Sequence, residues 1–263
     1  MVSTAPTKTT RVTQATKVTK VTNAEKTVKP VVKKVKKLKP AVPEVLAVAS
    51  EIYPLVKTGG LADVVGALPL ALQACAVHVT TLVPGYPRVM SAVHAQPESK
   101  VVLTMAHFFG GSVQLWSAQI AGMDLFVLDA PHLFEREGNP YLNANGQDWH
   151  DNPIRFAALS LMGAQLAWGE YPELHYQPDA MHVHDWQTAL APVYLHYLGK
   201  GKHHPKTIIT IHNLAFQGQF SAELFPRLGL PAWAFSTEGL EYYGCVGYLK
   251  AGILFSDEIT TVS

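Results

Sequence analysis

This 263-residue chain has only two cysteines, Cys75 and Cys245. Two are too few for a disulfide framework, so the sequence predicts buried free thiols in apolar helical surroundings and a reducing, cytoplasmic setting. No apolar run reaches the length of a membrane span. The glycine and lysine order of a P-loop is missing, and so is a nucleophile elbow with its Ser-His-Asp order, which removes those NTPase and hydrolase classes. Residues 1–42 lack aromatic side chains altogether and carry one acidic residue, Glu25, against eleven Lys or Arg. A secretory h-region does not follow, and Ser3 and Arg11 are the only Ser and Arg where a transit peptide would be rich in both.

That head, built on Lys, Val and Thr and ending in Lys33-Lys34-Val35-Lys36-Lys37-Leu38-Lys39-Pro40, reads as a disordered basic tail. It offers a salt-sensitive site for an anionic partner such as nucleic acid, a membrane surface or an acidic protein. With no aromatics to stack on bases, a solvated extension is the preferred reading. The remaining residues keep ten basic and nineteen acidic side chains, a net charge of −9. At 48% hydrophobic and 16% charged, the chain has enough apolar material for a substantial core.

From residue 43 onward the pattern is an α/β alternation, implying a Rossmann-like parallel sheet with flanking helices. Strands are expected over 45–50, 77–83, 101–105, 113–120, 123–128, 179–184, 207–211 and 258–262. The Gly110-Gly111 and Ala121-Gly122 turns mark a hairpin insertion within them. Helices are expected over 61–74 with a kink at Pro69, from Asn152-Pro153 with Asn152 as its cap, through Leu190 to Tyr197, and over 238–255. Residues 129–152 form a long polar and aromatic loop, of the sort that is functional or mobile. The chain stops in strand-like sequence, unusual for a complete α/β protein.

In open parallel sheets ligands bind beyond the carboxyl ends of the strands. Three such ends carry unusual polar groups. After the first strand comes Lys57-Thr58-Gly59-Gly60-Leu61-Ala62-Asp63-Val64, where glycines admit backbone N–H groups to an anion, the helix start adds positive potential, and Lys57 adds a cation. Asp63 has an ordinary explanation as a complement to the helix dipole. His182-Val183-His184-Asp185 puts two histidines on one strand face without a third ligand at metal spacing, so His182 reads as a core residue and no metal is expected. Asp185 needs a partner, and N-cap and catalytic roles remain open for it. His212-Asn213 pairs an imidazole with an amide suited to sugar hydroxyls. Tyr141, in the long loop, either stacks on a ring or staples the loop.

Taken together, Glu51 through Val64, Asp129-Ala130-Pro131, His182 through Trp186, Thr210 through Gly218 and Tyr248-Leu249-Lys250-Ala251-Gly252 resemble the N-terminal motifs of bacterial glycogen synthases and plant starch synthases. The match runs from about Val45 to the end, in the family's order. The resemblance implies the N-terminal half of a GT-B glycosyltransferase, with the C-terminal domain absent. It implies glucose transfer from ADP-glucose to the non-reducing end of an α-1,4-glucan with retention and without metal or cofactor. By position, Lys57 with Gly59 and Gly60 would contact the donor phosphates, His212 and Asn213 would hold the glucose, Asp185 would stand beside the reacting centre, and Tyr141 would line the sugar pocket. Half a cleft cannot orient both substrates, so the isolated chain is expected to be inactive. A non-catalytic glucan-binding module and an anion-binding adaptor acting through the tail are the competing readings. If the tail is only a solvated extension, deleting residues 1–42 leaves the thermal midpoint and the soluble yield unchanged; a lower midpoint in a melting experiment contradicts that reading.

Overall fold

The computed structural model describes residues 42–262, so the basic tail expected over 1–42 lies, but for Val42, outside the described residues. Four apolar residues in a row, Val45 to Val48, make β1 (Glu44–Val48) a strand for a sheet covered on both faces. The chain continues through α1 (Gly60–Gln73), β2 (His78–Pro84), α2 (Pro87–His94), β3 (Lys100–Phe108), β4 (Gly111–Ile120), β5 (Met123–Asp129) and α3 (Pro131–Phe134). There follow α4 (Asn152–Ala167), β6 (Ala180–His184), α5 (Asp185–Thr188), α6 (Leu190–Leu198), β7 (Lys206–Ile211), β8 (Gln219–Ser221), β9 (Glu241–Tyr242), β10 (Cys245–Gly247), α7 (Tyr248–Phe255) and β11 (Glu258–Thr261).

The main sheet has the order β11-β7-β6-β1-β2-β5-β4-β3. Its strands from β11 to β5 are parallel, while β4 and β3 extend it as an antiparallel hairpin, as the turn residues predicted. From β1 the chain builds outward to β2 and β5 on one side, then returns to build β6, β7 and β11 on the other. The strand order therefore reverses between β1 and β6, and that reversal leaves a crevice at their carboxyl ends. Beneath it, α4 is buried over nearly its whole circumference. Gly163 lets it sit close to β1, since a Cβ there would fall 2.9 Å from a Val48 methyl.

Several local expectations are corrected. Residues 238–247 are not helical: β10 pairs with both β8 and β9 in a small antiparallel sheet. Tyr243 and Gly244 both take positive φ (51° and 76°), the conformation of a two-residue hairpin turn, so the helix starts only at Tyr248. Helix α2 is absent from the helices expected above; Pro87 stands in its first turn and Val89, Met90 and Val93 are buried. Asn152 does not cap α4; its Nδ2 donates to the Tyr141 carbonyl at 2.9 Å and its Oδ1 accepts from Arg155 at 2.7 Å. Cys75 is exposed in the turn after α1, and Cys245 is half-buried on strand β10, so neither is the buried helical thiol expected; both are unpaired.

At the opposite, amino end of the sheet, His78 of β2 bridges two carboxylates across three neighbouring strands. Its Nδ1 lies 2.6 Å from Glu44 and its Nε2 2.8 Å from Asp124. The hydrogen bonds to Asp124 and Glu44 raise its pKa above the ordinary 6.5, against the opposing effect of burial. A group whose folded pKa is raised contributes stability below its unfolded value and loses it as pH rises through the folded one. The expected result is that His78→Gln lowers urea stability most at pH values below 6.5, with the gap from wild type closing as pH climbs past the raised value. A pH-independent gap would assign the loss to packing instead.

Candidate active site

The crevice is built outward from Glu51, the residue that follows Ser50 at the carboxyl end of β1. Glu51 is 2% exposed, so its carboxylate must find donors inside the protein. It accepts from the Thr58 hydroxyl at 2.7 Å, from the Thr58 backbone N–H, and from the Tyr141 hydroxyl at 2.5 Å. Tyr141 in turn lies 2.8 Å from Ser50 Oγ, and because its one proton goes to Glu51, Ser50 is the donor. Burial first, and the Glu51 charge second, hold the Tyr141 phenol well above its usual pKa, so it remains a donor. Tyr141 thus staples the long loop to β1. That loop is further tied by the Arg136–Asp151 ion pair at 2.5 Å and by Arg136 lying over the Trp149 ring.

Because Glu51 holds Thr58, Gly59 and Gly60 are set at the start of α1 facing open space. A Cβ at either would meet nothing within 4 Å, and neither has positive φ. Their value is therefore a bare backbone edge, with the unpaired N–H groups of the first helical turn directed into the crevice.

Strand β6 delivers His184 and Asp185. Asp185 is 7% exposed and takes a left-handed conformation, φ +56°, uncommon for a residue with a Cβ. The twist turns its carboxylate toward the neighbouring strand end, where Oδ1 accepts the backbone N–H of His212 at 2.6 Å and of Asn213 at 3.3 Å. It is not an N-cap: it is the first residue of α5, the N-cap position falls on His184, and the His184 N–H donates to Thr188 Oγ1 at 2.7 Å. Burial raises the Asp185 pKa, opposed by the His212 amide and imidazole and by the Asn213 amide.

Strand β7 is followed directly by His212, whose Nε2 lies 3.0 Å from Nδ1 of His184. His184, not His182, is the deeply buried histidine of β6; His182 is half-buried and bonds Thr210 at 2.6 Å. Burial lowers all three imidazoles, His182 to about 4, and the neighbouring histidines lower His182 and His184 further, whereas the Asp185 charge raises His212 against its burial. The cluster is neutral near pH 7, with each ring bonding to a neighbour. Asn213 Oδ1 accepts from the Ala215 N–H at 3.0 Å, a local turn bond, and its Nδ2 has no protein acceptor among the described residues.

These groups line one cavity of about 390 Å³. Gly59, Gly60, Tyr141, Asp185, His212 and Asn213, six of the seven residues expected from sequence, share it. Lys57 stands at its edge instead, with half its side chain exposed and its Nζ 2.6 Å from both oxygens of Asp63. Asp63 is therefore a partner of Lys57 as well as a first-turn acid of α1.

A family model described as "Starch synthase catalytic domain" matches residues 44–263. The chain belongs to that family. A glycogen synthase of Rhodopseudomonas palustris strain TIE-1 is 56% identical over 219 residues, which is 83% of this chain and 44% of the relative. "Glycogen synthase 2" of Bradyrhizobium diazoefficiens is 52% identical over the same shares. Among solved structures, the catalytic domain of starch synthase IV from Arabidopsis thaliana, bound to ADP and acarbose, superposes with a TM-score of 0.70 at 26% identity, covering 84% of this chain and 45% of that one. The chain thus spans less than half the length of these relatives, and its sheet is the Rossmann-like N-terminal half of their GT-B fold.

In this starch synthase domain, sequence reasoning missed Glu51, Gln187 and His184 as parts of the site. Glu51 and Gln187 line the cavity, and Gln187 Oε1 is buried there without a donor. The signal for Glu51 was present: a carboxylate directly after a buried strand raises the same question that singled out Asp185. Removing the Tyr141 hydroxyl tests the staple. Tyr141→Phe is expected to cost about 1.5–3 kcal/mol, the range for a buried hydrogen bond to a charged group, in urea unfolding; an unchanged midpoint contradicts it.

Proposed function

We propose that this chain supplies the acceptor-side half of a retaining glucosyltransferase that moves glucose from ADP-glucose to the non-reducing end of an α-1,4-glucan. The observation that carries the proposal is the convergence of a bare helix N-terminus, a buried carboxylate, a neutral imidazole and a free amide in one cavity at the switch point of the sheet. The ADP and acarbose named for the Arabidopsis structure are a nucleotide and a saccharide analogue, the two ligand types this cavity suits.

In this reading the bond between the glucose C1 and the phosphate oxygen breaks, and negative charge grows on the departing diphosphate. The first-turn N–H groups of α1 face that charge, and Lys57, tied only to an exposed carboxylate, swings from Asp63 to join them. Positive character grows on the sugar, and the Asp185 carboxylate stabilises it across the cavity while orienting the His212-Asn213 backbone. His212, Asn213 and Gln187 hold the glucose hydroxyls. The acceptor hydroxyl attacks C1 from the face the diphosphate leaves, passing its proton to the phosphate oxygen, which gives retention without a covalent enzyme intermediate. The half absent from this 44% span of the relatives would close the cleft and choose the base. The two unpaired cysteines favour a cytoplasmic setting for the reaction.

The assay joins this chain to the C-terminal half of the Rhodopseudomonas glycogen synthase and follows labelled glucose from ADP-glucose into glycogen. Lys57→Ala is expected to lower turnover about a hundredfold, the usual loss for one charge-stabilising group. Unchanged turnover sinks the assignment of Lys57. No incorporation by a folded hybrid that still binds maltooligosaccharide favours a binding module instead.

A further inference from the structure

A second cavity, of about 380 Å³, adjoins the first, and Thr58 lines both. Its lining includes Lys57, Arg88, Arg136 and Arg155, with Glu137 as the one carboxylate. Asp63 and Asp151 pair with Lys57 and Arg136, and counting them still leaves one positive charge in surplus. The site already described uses only Lys57 of these residues.

Two deep groups in this lining have donors to spare. Arg155 is 1% exposed, and its guanidinium carries five N–H bonds. Nε donates to the Leu133 carbonyl at 2.7 Å, and Nη1 donates to the Pro140 carbonyl and to Asn152 Oδ1, each at 2.7 Å. Nη2 has no acceptor among the described residues, and no carboxylate bonds any of its nitrogens. The Phe134 and Phe156 rings flank the guanidinium at 5.4 and 5.5 Å and fix its plane. The Tyr86 hydroxyl, on a side chain 5% exposed and set edge-on to Phe134, is also buried without a partner. Arg88 extends from the first turn of α2, whose positive end opens on the same cavity.

We propose that this second cavity binds a phosphate group, as the phosphomonoester of a small sugar. The cations come from four segments, the loop before α1, the start of α2, the long loop and α4, which suits a tetrahedral group with several acceptor oxygens better than a planar carboxylate. A phosphomonoester carries about 1.5 to 2 negative charges at neutral pH, enough to absorb the surplus. A cavity of this volume holds more than bare phosphate, leaving space for the sugar. The phosphate arrives either on a free sugar phosphate or on a phosphorylated unit of a glucan seated in the first cavity.

The test titrates the 263-residue chain with inorganic phosphate and follows the Arg155 Nε–H resonance by ¹H–¹⁵N NMR, with chloride at matched ionic strength as the control. Saturable change with phosphate and none with chloride is expected. Arg88→Ala, an exposed position, weakens it about tenfold or more, and Tyr86→Phe weakens it several-fold, both without lowering the thermal midpoint. Tighter binding of glucose 6-phosphate than of phosphate supports the sugar part, and equal binding overturns that part. Tighter binding still of a phosphorylated maltooligosaccharide assigns the group to a glucan chain. A response that fails to saturate, or that chloride reproduces, overturns the phosphate site. Displacement by ADP would put the anion in the first cavity and also overturn it. ADP and maltose are read separately at the His212 and Asn213 amides, so failure here leaves the glucosyltransferase reading to its own assay.

Discussion

A carboxylate taken out of water must be given donors, and much of the architecture around the crevice answers that requirement for Glu51. Its partners come from the loop before α1 and from the long loop before α4, seven and ninety residues away. By bonding Thr58 it sets the turn that presents Gly59 and Gly60, and by bonding Tyr141 it anchors the loop that separates the two cavities. One buried charge thus fixes the relative position of the start of α1, the loop and the first strand. A neutral side chain in its place would leave Tyr141 and Thr58 with weaker acceptors and the loops with less reason to meet.

The same economy governs the other side of the crevice. The strain of a left-handed Asp185 is offset by two backbone N–H groups that its carboxylate collects from the next strand. His184 then bonds His212 edge to edge, so the imidazole that faces the cavity has its ring orientation set by a partner buried in the sheet. Rings held in this way, their pKa values lowered by desolvation, offer neutral hydrogen-bonding groups to the cavity. The cation Lys57 and the bare start of α1 stand on the opposite wall.

Arg155 shows why the long loop is ordered despite its length. A guanidinium that donates to carbonyls at Leu133, in α3, and at Pro140, midway along the loop, ties the loop's first half to α4. Its donors exceed the acceptors available, and the excess faces the second cavity. A residue tied into the fold can still line a cavity with a free donor, because a fork of five donors is seldom filled by backbone alone.

The alternation of strands and helices was legible in the sequence because a parallel sheet needs continuous apolar runs such as Val45 to Val48, and its helices need one apolar stripe each. The strand ends that bear Asp185, His212 and the two glycines were legible for the same reason: polar groups interrupt buried runs there. The stretch 238–247 misled because its outcome rests on two positive φ values at Tyr243 and Gly244, which apolar spacing does not reveal. Local pattern, in short, determined the strands of the main sheet and which residues stand at their ends, and left out the small sheet of β8, β9 and β10. Only the tertiary structure decided that Asp185 bonds the backbone of the next strand, that Glu51 holds Tyr141, that Lys57 rests on Asp63, and that four cations border one cavity. Those pairings join residues far apart in the chain, and what selects them is the need to satisfy each buried charge once the sheet has closed around it.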